Sequence, residues 1–151
     1  MTGQHAADYS PESLLRIRAT CLSIAQVLGD DIMGLVSIVG GFVPSIVFGD
    51  SAPHPSLGGH VGTLDLDLGL DLAVLDDERY EDIAERLRAN GFEPDQKNTE
   101  GPITRQRWRS LSGATVDFVI APVPPDELGG KIQGFTRDFA AITMLGLDPA
   151  A

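Results

Sequence analysis

Leu64-Asp65-Leu66-Asp67-Leu68-Gly69-Leu70-Asp71-Leu72 is the stretch whose reading decides the fold. Successive side chains of a strand point to opposite faces, so strict alternation marks a strand with one dry and one polar side. Leu64, Leu66, Leu68, Leu70 and Leu72 face one way, towards a core. Asp65, Asp67, Gly69 and Asp71 face the other. A sheet strand of this kind needs helices over its leucine side, and the flanking sequence supplies them.

Upstream, Ser10-Pro11-Glu12 reads as N-cap, first helical position and first-turn acid. Leu14, Leu15, Ile17, Leu22, Ile24, Ala25 and Leu28 follow at helical spacing, and Gly29 is the expected C-cap. Leu35 to Val39 is β-branched and apolar, a buried strand ended by Gly40-Gly41. Phe42 to Phe48 reads as a short helix that tolerates Pro44 in its first turn. Residues 49–62 read as a loop rich in glycine, proline and histidine.

Downstream, Asp76-Asp77-Glu78 opens a helix that ends near Asn90-Gly91. Phe92 to Pro94 begins a strand, and Thr104–Ser110 with Thr115–Ala121 reads as a hairpin across Ser112-Gly113. Pro122, Pro124 and Pro125 break the chain, and a weak helix is expected over Thr136 to Met144. The order α-β-α-β-α-β-β, without internal repeat, implies an α+β (α/β sandwich) fold: a small mixed sheet with helices on one side. Residues 1–9 read as a disordered tail, 10–145 as a single domain and 146–151 as a frayed end.

With 151 residues, of which 42% are hydrophobic, the chain can bury one core. The formal charge of -11 opposes general, salt-driven attraction to nucleic acid, while leaving room for a local basic patch. Cys21 is the only cysteine, so no internal disulfide can form and a cytoplasmic location is expected. Met1 to Glu12 has neither the basic nor the apolar region of a signal peptide. Ile32 to Phe48 carries no charge, but a bilayer needs roughly 20 apolar residues. Gly40-Gly41 and Pro44 interrupt the stretch, and Asp30, Asp31 and Asp50 flank it, so no membrane span is expected.

The chemistry begins at Asp65-Leu66-Asp67. Carboxylates two apart on a strand are neighbours, and each disfavours the other's ionisation. A divalent cation relieves that repulsion; Mg²⁺ prefers carboxylate oxygens and is usually completed by waters and substrate phosphates. A solvated acidic strand face would show the same alternation. Gly40-Gly41, between a strand and a helix, lets backbone approach a triphosphate at a helix N-terminus, though an ordinary tight turn would read alike. Asp117 stands alone within the apolar run Val116-Asp117-Phe118-Val119-Ile120 and needs a metal, a hydrogen bond or an arginine.

Arg105, Arg107 and Arg109 share one strand face, suited either to phosphates or to salt bridges with the acidic strand. Trp108, on the opposite face, reads as core. Thr63 either hydrogen-bonds a phosphate or starts its strand. His54 and His60 lack the partners that a zinc site needs.

Taken in order, Val39-Gly40-Gly41, His60-x-Gly62-Thr63-x-Asp65-x-Asp67 and Val116-Asp117-Phe118 resemble the DNA polymerase β-like nucleotidyltransferases, and more narrowly the AbiEii-type nucleotidyltransferases, many of them toxins of toxin–antitoxin pairs. The resemblance spans about residues 35–121. It implies Asp65, Asp67 and Asp117 as catalytic, metal-ligating carboxylates. It implies Gly40 and Gly41 as the phosphate-contacting turn, Mg²⁺ or Mn²⁺ as cofactor and an NTP as substrate; Thr63 and Arg107, read from the residues themselves, are the further candidates to contact the nucleotide. It also implies an RNA or protein acceptor and a cognate antitoxin as partners. AbiEii-type proteins usually continue into a helical part with a catalytic lysine. The only late lysine here is Lys131, in Gly129-Gly130-Lys131, which is not that motif. A nucleotidyltransferase-like module without turnover, binding nucleotide or a partner protein, is therefore the alternative reading.

Overall fold

A computed structural model describes residues 11–48, 65–71, 75–96, 103–122 and 129–147. The expectations for residues 1–9, for the loop at 49–62, for Thr63 and for His54 and His60 lie outside the described residues, as do Leu64 and Leu72.

The decisive stretch is a strand, β2 (Asp65–Leu70), with Leu66, Leu68 and Leu70 buried. Around it the chain forms α1 (Pro11–Met33), β1 (Val36–Val39), a 3-10 turn (Gly40–Phe42), α2 (Val43–Phe48), α3 (Asp77–Ala89), β3 (Phe92–Gln96), β4 (Ile103–Ser110), β5 (Thr115–Ile120), β6 (Ile132–Gly134) and β7 (Ala140–Thr143). The sheet order is β1-β2-β5-β4-β3, and β7 pairs with both β5 and β6. The sheet is mixed: β2 and β7 run parallel to β5, while β1–β2, β4–β5, β3–β4 and β6–β7 are antiparallel. The architecture is α+β.

One hydrophobic cluster joins α1 (Ile17, Ile24, Leu28, Ile32) and α3 (Tyr80, Ile83, Leu87) to the apolar sides of β2, β4 and β5 (Leu66, Leu68, Trp108, Val116, Phe118, Ile120). Fully burying each such Leu, Ile or Phe contributes about 1.5–3 kcal/mol. The helices thus seal the leucine side of the sheet, which leaves the aspartates of β2 on the opposite face.

Helix boundaries follow from local chemistry. Asp76 caps α3, its side chain accepting from the Arg79 amide at 3.0 Å, and Arg86 and Arg88 sit in the last turn, where cations favour the helix dipole. Gly29 does interrupt α1, with φ 73 and ψ 168, but the helix resumes to Met33 instead of stopping. Arg86 from α3 donates to the Leu28 carbonyl at the break and pairs with Asp31 at 2.9 Å, so a tertiary contact carries the chain across the glycine. The uncharged Ile32–Phe48 stretch divides between the end of α1, β1, the 3-10 turn and α2. No described helix is long and apolar enough to cross a membrane.

The helix expected over Thr136 to Met144 is corrected. Ile132–Gly134 and Ala140–Thr143 form a hairpin whose second strand joins β5, with Val119 opposite Ile142 and Ile120 opposite Thr143. Ala140 and Ala141 favour helix in isolation, but here they are buried beside the second half of β5, and pairing with that strand overrides propensity. Pro94 is tolerated in β3 because β3 is the edge of the sheet, and the register shifts just after it.

Candidate active site

Register brings the singled-out acids together. In the parallel β2–β5 pair, Asp67 lies opposite Asp117 and Asp65 opposite Thr115, so the three carboxylates share one sheet face. In the antiparallel β4–β5 pair, Arg107 lies on the other side of Asp117 and Arg109 beside Thr115. β1 runs antiparallel to β2 and ends with Val39 opposite Asp67, so Gly40-Gly41 continues directly over the acidic strand. Gly40 has φ +74, and a Cβ built on it would fall on Asp67 Oδ2, 3.2 Å from Cγ. Glycine is required there twice over, by the left-handed backbone and by the carboxylate pressed against it.

The electrostatics centre on Arg107. Its Nε donates to Asp117 Oδ1 at 2.8 Å and its Nη2 to Asp117 Oδ2, a bidentate pair. Nη2 also reaches Asp65 Oδ2 at 3.3 Å. The Thr115 hydroxyl donates to Asp65 Oδ1. The Asp67 carboxyl is pushed up to about 6 by its burial first, then by the charges of Asp117 and Asp65, with Arg107 opposing them. The face therefore stores like-charge repulsion at Asp67 that one guanidinium does not cancel.

Neighbouring arginines are engaged elsewhere. Arg109 donates to Asp95 Oδ1 at 2.8 Å, and this hydrogen bond holds the Asp95 carboxyl below the usual range. Arg105 donates to the carbonyl of Thr136 at 3.1 Å, tying β4 to the turn before β7. Of the three arginines, Arg107 is the one that hydrogen-bonds the triad. Thr115 escaped the sequence reading, although its place two residues before Asp117 puts it on the same face. The Asp95 carboxylate beside Arg109 escaped as well, because only the β3–β4 pairing reveals it.

Among the described residues, no group of three or more His, Cys, Asp or Glu is placed to hold a metal ion. The donor set is nonetheless all oxygen, carries excess negative charge and is partly exposed, which suits a hard divalent cation held by one or two carboxylates and completed by phosphate. A groove of about 510 Å³ lies elsewhere, between α1 and the turns at Asn90–Phe92 and Ser110–Ser112. Among the described residues, the only charged one lining it is Arg16. Chemistry, rather than concavity, therefore favours the carboxylate face.

Comparison with family models, with curated proteins and with solved structures finds no match to this chain.

Proposed function

We propose that the chain is a Mg²⁺- or Mn²⁺-dependent nucleotidyltransferase domain of the DNA polymerase β-like type. It moves a nucleoside monophosphate from an NTP to an RNA or protein acceptor. The observation that carries the reading is the meeting of Asp65, Asp67 and Asp117 with the Gly40-Gly41 turn on the sheet face opposite the helices. These parts come from three well-separated segments of the chain, a convergence that an incidental acidic strand does not require.

Asp65 and Asp67 would hold the cation, which when bound neutralises the triphosphate and polarises its α-phosphorus. Thr115 fixes the rotamer of Asp65, and the close fit of Gly40 fixes that of Asp67. Gly40 lets the turn lie against the Asp67 carboxylate, where a side chain would collide with it, and so brings the backbone of the turn beside the carboxylates. The acceptor oxygen bonds to the α-phosphorus as the bond to the pyrophosphate oxygen breaks, and the acceptor's proton leaves to solvent or a carboxylate. The resemblance to AbiEii-type toxins makes a cognate antitoxin the expected protein partner.

One observation favours a second reading, a module that binds nucleotide without turnover: Arg107 already occupies Asp117. Incubation with each labelled NTP, Mg²⁺ and total RNA or protein separates the two. Transfer of label that Asp67→Asn abolishes supports the enzyme. Retained NTP binding without transfer supports the module.

A further inference from the structure

The chain has two asparagines, Asn90 and Asn98, and only Asn90 is followed by glycine. An asparagine carboxamide can be attacked by the amide nitrogen of the next residue. Gly91 carries no side chain to hinder that approach, whereas Asn98 is followed by the β-branched Thr99. Asn90 is the exposed C-cap of α3. Three features of the cap hold the reacting groups apart. The Asn90 Nδ2 donates to the Arg86 carbonyl at 2.8 Å, which pins the carboxamide back along the helix. The Gly91 amide donates to the Arg88 carbonyl at 3.1 Å, so the proton of the nucleophile is engaged. Asn90 has ψ 20, which swings the Gly91 nitrogen away from Cβ, while ring closure needs the two nearly eclipsed about the Cα–C bond.

We propose that Asn90 is a site of spontaneous deamidation, gated by opening of the last turn of α3. Once the turn opens, the Gly91 nitrogen gives its proton to water and bonds to Asn90 Cγ. The Cγ–Nδ2 bond breaks and ammonia leaves, closing a succinimide ring. Water then opens the ring at either of its carbonyls, leaving aspartate or isoaspartate. Helix ends are among the parts that open at least cost, so the gate works without global unfolding. The product weakens the cap that delayed it. It loses the donor to the Arg86 carbonyl and sets a carboxylate at the negative end of the helix dipole. It also brings a negative charge to the groove beside α1, where Arg16 is the only charged residue among the described lining.

The test is peptide mapping by mass spectrometry after timed incubation of the whole chain in mildly alkaline buffer, folded or in urea, with the fluorescence of Trp108 reporting which state is present. Tryptic cleavage after Arg88 and Lys97 puts Asn90 and Asn98 on separate peptides, so each is followed by itself. In urea, Asn90 should deamidate faster than Asn98. In the folded chain Asn90 should react at least about tenfold more slowly than in urea, because attack awaits the loss of several cap hydrogen bonds. Leu87→Ala, which loosens the buried side of that turn, should react faster than wild type while folded and at the wild-type rate in urea. The wild-type comparison stands even if Leu87→Ala does not fold. Asn90 unreactive in urea, or slower there than Asn98, would overturn the site. Equal rates in the folded and unfolded chain would overturn the gate, and a folded Leu87→Ala that reacts no faster than wild type would overturn its placement in the last turn of α3.

Discussion

Replacing Asp67 by Asn should stabilise the metal-free protein at neutral pH, although it alters a residue of the proposed site. Burial and two neighbouring carboxylates raise the Asp67 carboxyl from 3.8 to about 6. At about 1.36 kcal/mol per pH unit, that rise corresponds to a ceiling of about 3 kcal/mol held against the folded state. The carboxylate is only partly buried, so solvent screening reduces the expected gain to about 1–2 kcal/mol. Such a gain raises the melting temperature of a chain this size by roughly 2–4 °C per kcal/mol.

The sign with pH follows from a folded value above the unfolded one. Below 3.8 the carboxyl is protonated in both states and wild type bears no penalty. The stability conferred by the bound proton is lost as pH rises from 3.8 through about 6. Urea unfolding read by Trp108, the only tryptophan and fully buried, should therefore separate Asp67→Asn from wild type at pH 7.5 and bring them together near pH 4. A destabilised variant at pH 7.5, or a gap that does not change with pH, would refute the electrostatic reasoning.

Gly40→Ala places a Cβ at a left-handed position and against the Asp67 carboxylate, so urea unfolding should show a loss of about 2 kcal/mol or more; an unchanged midpoint would mean the turn does not press on Asp67. Arg109→Gln removes the partner of Asp95 and should cost about 1 kcal/mol at pH 7. Because that partner lowers the Asp95 carboxyl, the stability is present above 3.8 and lost as pH falls through the lower folded value, so denaturation curves of the two proteins should converge in acid. A gap persisting below pH 2 would point to packing instead of charge.

The sheet and the covering helices were legible because their signals are periodic. The leucine–aspartate alternation of β2, the capped α3 and the Ser112-Gly113 hairpin each have one economical solution. The kink at Gly29 and the β6–β7 hairpin were not legible. The first depends on Arg86, which reaches the Leu28 carbonyl from 58 residues away in sequence, and the second on the open edge that β5 offers beyond the end of β4. The site divides in the same way. Same-face spacing placed Asp65 beside Asp67, and the lone acid of an apolar strand marked Asp117. The partner of Asp117 could not be read, because nothing local to Arg107 distinguishes it from Arg105 and Arg109. Only register puts it opposite Asp117 while they meet the Thr136 carbonyl and Asp95.

The central claim is that Asp65 and Asp67 hold a metal–nucleotide complex, and thermal melts of wild type and Asp65→Asn, with and without Mg²⁺ and each NTP, test it most directly. A ligand that binds only the folded state stabilises it by about 2.7 kcal/mol at a hundredfold excess over Kd. For a chain of this size that is a rise of roughly 5–10 °C. Wild type should show the rise with at least one NTP and only when Mg²⁺ is present. Asp65→Asn should stay folded, since the amide oxygen of the substituted side chain can still accept from Thr115, and should lack the rise. An equal rise in both proteins, or none in wild type with any NTP, would contradict the account.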